Sequence, residues 1–217
     1  IYIVSTTFNY FFEGREKRFI RTAFGRYVSP QVVSEMISSP SKLTLEGEEK
    51  NLSVLFSDIR GFTTLSEGLS PREMRILLNE YLTSMTDIIM ERRGTVDKFI
   101  GDAIMAIWNA PLDDSNHPEN AVDSALQMVS KLHELNPGWI ARGFPEIQVG
   151  VGINTGLVNV GNMGSDSRFD YTVIGDNGNP ASRPEGLNKV YGTEILVSEA
   201  TYDAVKHRFF CRPVDNV

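Results

Sequence analysis

Cysteine and histidine are scarce in this sequence. Cys211 is the only cysteine among 217 residues, which excludes an intrachain disulfide and a cysteine-based zinc site and makes a reducing, cytosolic setting the default expectation. The three histidines, His117, His133 and His207, lie far apart without the spacing of metal ligands. We assign these histidines no role.

An excess of positive charge is also lacking. The formal net charge is -7 and the pI is about 5.1, which argues against a protein that binds a nucleic-acid backbone through a basic face. Small phosphorylated ligands stay possible because metal ions can supply positive charge locally. The hydrophobic share of 41% is enough for one sizeable core. We therefore expect a folded domain without a nucleic-acid partner.

The N-terminal hydrophobic run is too short to cross a bilayer. Ile1 to Phe12 is aromatic and almost uncharged, and Arg15, Lys17 and Arg18 follow it, whereas a spanning helix needs about 20 residues. This pattern is typical of the cytoplasmic end of a membrane span, but it also fits a signalling helix that pairs with its own copy. We predict that residues 1–20 are one of these two with a basic linker, and that residues 21–217 form one domain.

The hydrophobic pattern predicts two long helices and several strands. Ser70 and Glu73 form a capping box that opens a helix to about Arg93, and the helical period returns from Glu119 to Leu135. The strands are predicted at four places, and the last of them is expected to contain paired strands: Asn51 to Ile59, Thr95 to Ile100, Ala103 to Trp108 and Ile147 to Val160. This order predicts an α+β fold with a ferredoxin-like split βαβ core, in which helices pack on one face of a mostly antiparallel sheet.

Two aspartates stand where strand patterns end. Asp58 closes the first strand, and Asp102 lies in the Gly101-Asp102 hairpin turn. Neighbouring strand ends would bring both carboxylates to one edge, as paired oxygen ligands for Mg²⁺ or Mn²⁺ on a nucleotide triphosphate. An aspartate in such a turn more often serves the turn itself, however. The glycine-bearing turn after Asp58, Gly61-Phe62-Thr63, would offer backbone N–H groups to phosphate.

Four blocks of sequence occur in a fixed order. They are FSDIRGFT (Phe56 to Thr63), DKFIGDAIMAIW (Asp97 to Trp108), VGVGINTGLVNVGNMG (Val149 to Gly164) and DYTVIGDNGNPASRPEGLNK (Asp170 to Lys189). In this order and spacing they resemble the catalytic domain of class III nucleotidyl cyclases, of the bacterial adenylate cyclase type. The resemblance covers residues 21–217. It implies an enzyme that converts ATP to 3′,5′-cyclic AMP and pyrophosphate.

The resemblance implies a role for each matching residue. Asp58, Asp102 and the backbone carbonyl of Ile59 match the ligands of two divalent cations, Mg²⁺ or Mn²⁺. Lys98 and Thr172 match the pair that reads the purine, and this combination suits adenine, since guanylate cyclases typically carry Glu and Cys there. An exposed ion pair between Lys98 and Asp97 or another acid is the alternative for that lysine.

A helix is expected to present Asn179 and Arg183 on one face. By resemblance Asn179 orients the ribose and Arg183 stabilises charge on the α-phosphate. In the family these residues and the purine pair face the metal ligands of the opposite subunit. We therefore expect a homodimer with two equivalent sites, in a cytoplasmic domain that an upstream sensor or membrane domain regulates, with the full-length protein anchored in the cell membrane.

Two departures from the family pattern bear on activity. Gly178, Pro180 and Pro184 stand in the segment of Asn179 and Arg183, and a proline inside a regular helix costs about 3 kcal/mol. The sequence also stops at Val217, before the position of a lysine that the family supplies to the triphosphate, so the domain is expected to be truncated at its C-terminal end. The alternative to an active cyclase is therefore a pseudo-cyclase, a dimerising module that binds nucleotide or transmits a signal.

Overall fold

The computed structural model describes residues 47–165, 168–174 and 181–215. Its elements follow the order β1 (Glu48–Ile59), α1 (Phe62–Glu67), α2 (Pro71–Glu91), β2 (Thr95–Ile100), β3 (Ala103–Trp108), α3 (His117–Ala141), β4 (Val149–Ser165), β5 (Arg168–Ile174), α4 (Ser182–Tyr191), β6 (Ile195–Val197) and α5 (Glu199–Val205). None of the helices in this described part combines the length and apolar character that crossing a bilayer requires. The predicted N-terminal segment of residues 1–20 lies outside the described residues.

The sheet confirms the predicted α+β, ferredoxin-like architecture. Its strand order is β2-β3-β1-β4-β5, and β6 pairs with β4. The central strand β1 is antiparallel to both of its neighbours, β3 and β4. Since β1, α2 and β2 are followed by β3, α3 and β4, each helix connects two strands that are separated by one inserted strand. Only the short β6 is parallel to its neighbour among the described pairs.

The two long helices pack on one face of the sheet, as predicted. Helix α2 begins at the predicted capping box, where the Ser70 N–H donates to Glu73 Oε2 at 2.9 Å and the Glu73 N–H donates to Ser70 Oγ at 3.3 Å. Its buried residues recur at helical spacing, and they share one hydrophobic core with α3 and with alternate residues of the central strands: Leu77, Tyr81, Met85, Ile88 and Ile89 of α2, Ala121, Met128 and Leu132 of α3, and Leu55, Ile104 and Ile153 of the sheet.

Helix α3 is longer than predicted. The helical pattern from Glu119 to Leu135 is followed by Pro137, yet the helix continues to Ala141. Tertiary bonds hold the extra turn, because the Trp139 indole N–H donates to Glu80 Oε2 at 2.8 Å. The side chain of Asn136 also donates to the Ile147 carbonyl and accepts from the Ile147 N–H, both at 2.9 Å. These contacts offset the intrahelical hydrogen bond that Pro137 lacks.

The segment predicted as paired strands is one continuous strand. β4 runs from Val149 to Ser165 and pairs with β1 along its first part and with β5 along its last part. A hydroxyl of β5, that of Thr172, also hydrogen-bonds to Asp97 of β2 at 2.7 Å. Since β2 and β5 are the outer strands of the order given above, the sheet curls until these edges meet. The curl encloses a second core cluster that includes Leu52, Val54, Met105, Ile107, Val158 and Val160.

Candidate active site

The pairing of β1 with β3 brings Asp58 to the hairpin turn. Ser57 lies opposite Ile104 in this ladder, so the next residue of β1 stands beside the turn that carries Asp102. The carboxyl groups of Asp58 and Asp102 are close enough to share a hydrogen bond. The Ile59 backbone N–H donates to Asp102 Oδ2 at 3.1 Å, which fixes the second carboxylate. The sequence prediction that Asp58 and Asp102 meet at one edge is thus matched by the geometry.

The closeness of the two carboxyl groups changes the pKa of Asp58. Burial, the shared hydrogen bond, the charge of Asp102 and the charge of Glu185 together raise the pKa of Asp58 to about 7, although a backbone hydrogen bond from Ile59 acts in the opposite direction. Two carboxylates at this separation cannot both ionise easily unless a proton or a cation lies between them. Hard divalent cations prefer such oxygen donors, so the donor set fits Mg²⁺ or Mn²⁺.

Asp58 and Asp102 alone do not complete the coordination shell of a metal ion. Within residues 47–165, 168–174 and 181–215 no three His, Cys, Asp or Glu side chains converge to hold an ion. A cation at Asp58 and Asp102 therefore needs further oxygen ligands from backbone, water or substrate. The expectation that Ile59 supplies its carbonyl stays a prediction.

The predicted phosphate loop forms the start of helix α1. Gly61 precedes this helix in the left-handed region, at φ 65°, a conformation that glycine adopts without strain. Phe62 and Thr63 are its first residues, and N–H groups in the first turn of a helix lack intrahelical acceptors. These amides stand three to five positions after Asp58 along the chain, so their role toward phosphate stays a prediction.

Helix α4 packs on the face opposite the two long helices, directly over two glycines of β4. A Cβ atom added at Gly152 would lie 2.9 Å from Glu185 Cα and nearer still to Ala181 O and Glu185 N. A Cβ atom at Gly150 would lie 2.8 Å from Glu185 Oε1. The missing side chains of this glycine-rich strand therefore make room for α4.

Glu185 and Arg60 complete the charges around the pair of aspartates. Glu185 lies near Asp102, and its own pKa is raised by burial, lowered by Arg60 and raised again by Asp102. The Arg60 guanidinium also donates to the carbonyl of Thr193, which ties the end of β1 to the loop after α4. Sequence reasoning missed both residues, because only the fold brings them together: Arg60 stands two positions after Asp58, and Glu185 stands two positions after Arg183.

Arg183 is exposed and lies in the first turn of α4. Two residues correspond to about 200° around a helix, so Arg183 faces away from the side on which Glu185 approaches the sheet. Pro184 is the third residue of the helix, a position whose N–H has no intrahelical acceptor. The penalty of a proline inside a regular helix therefore does not apply to Pro184, because α4 begins at Ser182.

The predicted purine-reading residues lie together at the meeting edges of the sheet. Thr172 is buried, and its hydroxyl donates to Asp97 Oδ2 at 2.7 Å. Lys98 is 39% exposed, with its Nζ 3.6 Å from Asp97 Oδ1. Asp97 thus contacts both residues of the predicted pair. Sequence reasoning named Asp97 only as a possible ion-pair partner of Lys98 and missed its bond to Thr172.

Several expectations fall on segments that the structure does not describe. Asn179, Gly178 and Pro180 lie outside the described residues, as do residues 1–46. The role of Asn179, and its placement on one helix face with Arg183, therefore stay predictions.

Comparison with known proteins gives one family. Residues 46–217 match the Adenylate and Guanylate cyclase catalytic domain. Over 191 residues the chain is 38% identical to Adenylate cyclase 1 of Rhizobium meliloti, covering 88% of this chain but 29% of that protein. The chain thus spans about a third of the length of such curated relatives.

Solved structures agree with this match. The adenylyl cyclase CyaB from P. aeruginosa superposes with a TM-score of 0.70 at 40% identity, covering 77% of this chain and 86% of that one. The guanylyl cyclase Cya2 superposes with a TM-score of 0.68 at 38% identity, covering 73% and 80%. From the fold, the paired aspartates and these matches, we conclude that the chain belongs to the adenylate and guanylate cyclase catalytic domain family.

Proposed function

We propose that this domain is an adenylate cyclase that converts ATP to 3′,5′-cyclic AMP and pyrophosphate at sites shared between two copies of the chain. The ribose 3′-oxygen forms a bond to the α-phosphorus, the bond from that phosphorus to the β-phosphate bridging oxygen breaks, and the hydroxyl proton is released. The observation that carries the proposal is the convergence of Asp58 and Asp102, with the pKa of Asp58 raised to about 7.

Asp58 and Asp102, with the carbonyl of Ile59, would hold two divalent cations, Mg²⁺ or Mn²⁺. Bound cations of this kind neutralise the triphosphate and lower the pKa of the attacking hydroxyl. The hydrogen bond from the Ile59 N–H orients Asp102, so that ligand is held in place before substrate arrives. The amides of Gly61, Phe62 and Thr63 would bind phosphate oxygens.

Lys98 and Thr172 would read the base, which makes ATP the substrate. Lys98 has a flexible, partly exposed ammonium, and adenine offers a ring nitrogen to a donor and an amino group to an acceptor. Asn179 would orient the ribose. Arg183 would stabilise negative charge on the α-phosphate in the transition state.

The orientation of Arg183 supports a site shared between chains. Glu185 packs toward Gly150 beside the aspartates of its own chain, and Arg183 points about 200° away from it on the same helix. An arginine so placed points away from Asp58 of its own chain, so the site that it would serve lies on a second molecule. We therefore propose a symmetric homodimer in which Arg183 of one chain serves the carboxylates of the other.

The position of Pro184 in the first turn of α4 removes one argument for the pseudo-cyclase alternative. The proposal further holds that residues 21–217 form the catalytic domain, and that an upstream sensor or membrane domain, joined to it by the segment of residues 1–20, controls a cytoplasmic active site.

The test is formation of cyclic AMP from Mn-ATP over a range of protein concentrations. Specific activity is expected to rise with concentration because a shared site forms only in the dimer. Asp58→Ala and Asp102→Ala are each expected to reduce turnover to background. Asp87→Ala, which removes an exposed carboxylate of α2, is the matched control and should leave turnover unchanged. Full activity in either of the first two variants would refute the metal assignment.

Mixing two inactive variants tests the sharing directly. Asp58→Ala chains retain Arg183, and Arg183→Ala chains retain Asp58, so a heterodimer contains one intact site. Random pairing of equal amounts is expected to restore about a quarter of the wild-type activity. A mixture as inactive as its components, with dimers present by light scattering, would place both residues in a site formed by one chain.

A further inference from the structure

Asp97 is a buried carboxylate that the proposed chemistry has not used. Its side chain is 1% exposed, and one oxygen accepts the Thr172 hydroxyl proton at 2.7 Å. The other oxygen, Oδ1, has no hydrogen-bond donor among the described residues, although the Lys98 ammonium lies 3.6 Å away. Burying an ionisable group is costly unless its contacts compensate. Burial raises the pKa of Asp97, while Thr172 and Lys98 act in the opposite direction.

A β-bulge gives Asp97 access to both neighbours. Val96 lies opposite Ala106 and Lys98 lies opposite Met105, so Asp97 is an extra residue on β2. In a regular strand, adjacent side chains point to opposite faces. A bulge re-aims side chains locally, and here Asp97 and Lys98 come to lie beside each other. At this bulge Asp97 lies within reach of both Lys98 and Thr172.

The direction of the Thr172 hydrogen bond has a consequence for the base. A threonine hydroxyl has one proton to donate and lone pairs to accept. Because the proton goes to Asp97, Thr172 presents only acceptor capacity to a ligand. At the ring position that would face Thr172, adenine carries a hydrogen-bond donor, its exocyclic amino group. Guanine carries an acceptor at the same position, its exocyclic oxygen. The Lys98 ammonium can donate to either purine, so Lys98 by itself does not distinguish them.

We propose that Asp97 is a positioning residue that sets purine specificity, because it holds Thr172 as a hydrogen-bond acceptor and so favours ATP over GTP. This inference rests on the proposed function, in which Lys98 and Thr172 read the base. A guanine base would face an acceptor with its own acceptor, and a site with such a mismatch rejects the ligand because polar groups are left unpaired.

The test compares kcat/KM for ATP and for GTP in wild type and Asp97→Asn. In the variant, the carboxamide oxygen is attracted to the Lys98 ammonium, so its NH₂ group faces Thr172 and donates to it. The Thr172 proton is then released to donate to guanine. The ATP-to-GTP ratio is expected to fall by roughly tenfold or more. Asp170→Asn, which removes a nearby exposed charge, is the control and should keep the ratio.

Substitutions at Thr172 separate this role from a structural one. Thr172→Ser keeps the hydroxyl and should retain the ratio, whereas Thr172→Val removes the acceptor and should lower it. In the Thr172→Val background, adding Asp97→Asn should change the ratio no further, because Asp97 acts through the hydroxyl. A loss of folding would lower turnover of both nucleotides equally and leave the ratio unmoved. If Asp97→Asn does not fold, Thr172→Val still tests the inference, because an unchanged ratio in that variant overturns it.

The outcomes are distinguishable from failure of the proposed function. If wild type makes cyclic AMP and the ratio is unchanged in Asp97→Asn or in Thr172→Val, the inference is overturned while the cyclase proposal stands. If wild type makes no cyclic nucleotide, the cyclase proposal fails. The dissociation constants for ATP and GTP, measured by calorimetry, then decide the inference: a preference for ATP that is lost in Asp97→Asn supports it, and equal or undetectable binding overturns it.

Discussion

Because α4 packs closely on β4, a single methyl group added at Gly152 should reduce both stability and turnover. In Gly152→Ala the new Cβ would lie 2.9 Å from Glu185 Cα, with Ala181 O and Glu185 N nearer still. All three are backbone atoms, so no side-chain rotation relieves the overlap. The helix itself has to move.

The size of the effect follows from these contacts. Ordinary contact begins at 3.4 Å, so the Cα at 2.9 Å has to retreat by about 0.5 Å, and the nearer atoms by more. Overpacking of this kind costs about 1–3 kcal/mol of stability. Displacement of a catalytic group by about 1 Å can reduce turnover by a factor of about 100. Since α4 carries Arg183 and Glu185, we expect turnover to fall by roughly tenfold or more.

The assay pairs urea unfolding with cyclic AMP formation in three variants. Gly156→Ala lies on the same strand with open space around its new Cβ, so stability should not fall and activity should stay unchanged. Gly186→Ala lies in α4 itself, also with open space. It should stabilise the protein by about 0.5–1 kcal/mol, because alanine loses less entropy than glycine in a helix. The contrast between Gly152→Ala and these two controls isolates the helix contact.

Two results would refute this reasoning. Wild-type stability and turnover in Gly152→Ala would show that α4 does not lie as close to β4 as described. An equal loss in Gly156→Ala would show that the strand requires glycine for its backbone rather than for the helix.

Two further predictions concern the charge of the site and the proline of α4. The Asp58 pKa rises from 3.8 to about 7 on folding, so the metal-free protein has the full stabilising contribution of this group below about pH 4 and loses it as the pH rises toward 7. Urea unfolding should show this decline in wild type and a flatter profile in Asp58→Asn, and equal slopes would refute the assignment. Pro184 occupies the third position of α4. Pro184→Leu should therefore leave the free energy of unfolding within about 0.5 kcal/mol of wild type. A gain in that free energy of about 3 kcal/mol would show that the proline breaks the helix.

The sequence was sufficient wherever a local pattern decided the structure. The capping box at Ser70 and the turn at Gly101-Asp102 are strong short-range signals. Helix α2 begins at the capping box, and strand β3 begins directly after the turn, as predicted. The meeting of Asp58 with Asp102 also follows from local pattern, once the strands adjoining them pair.

What the sequence did not reveal depends on contacts between distant segments. Helix α3 passes Pro137 because Trp139 and Asn136 find partners elsewhere in the fold, and no periodicity encodes those partners. The bond between Thr172 and Asp97 joins residues 75 positions apart at the two edges of a curled sheet. The number of strands indicates a sheet, but not how far it curls.

Strand β4 links the parts of the site mechanically. Asp58 lies opposite Gly150 on this strand, α4 rests on Gly152, and Thr172 lies opposite Gly161. Asp58, the helix that carries Arg183 and the edge that carries Thr172 are thus all attached to a single extended strand. Moving one of these parts relative to the others requires β4 to bend. A shift of one whole chain against its partner leaves β4 unbent.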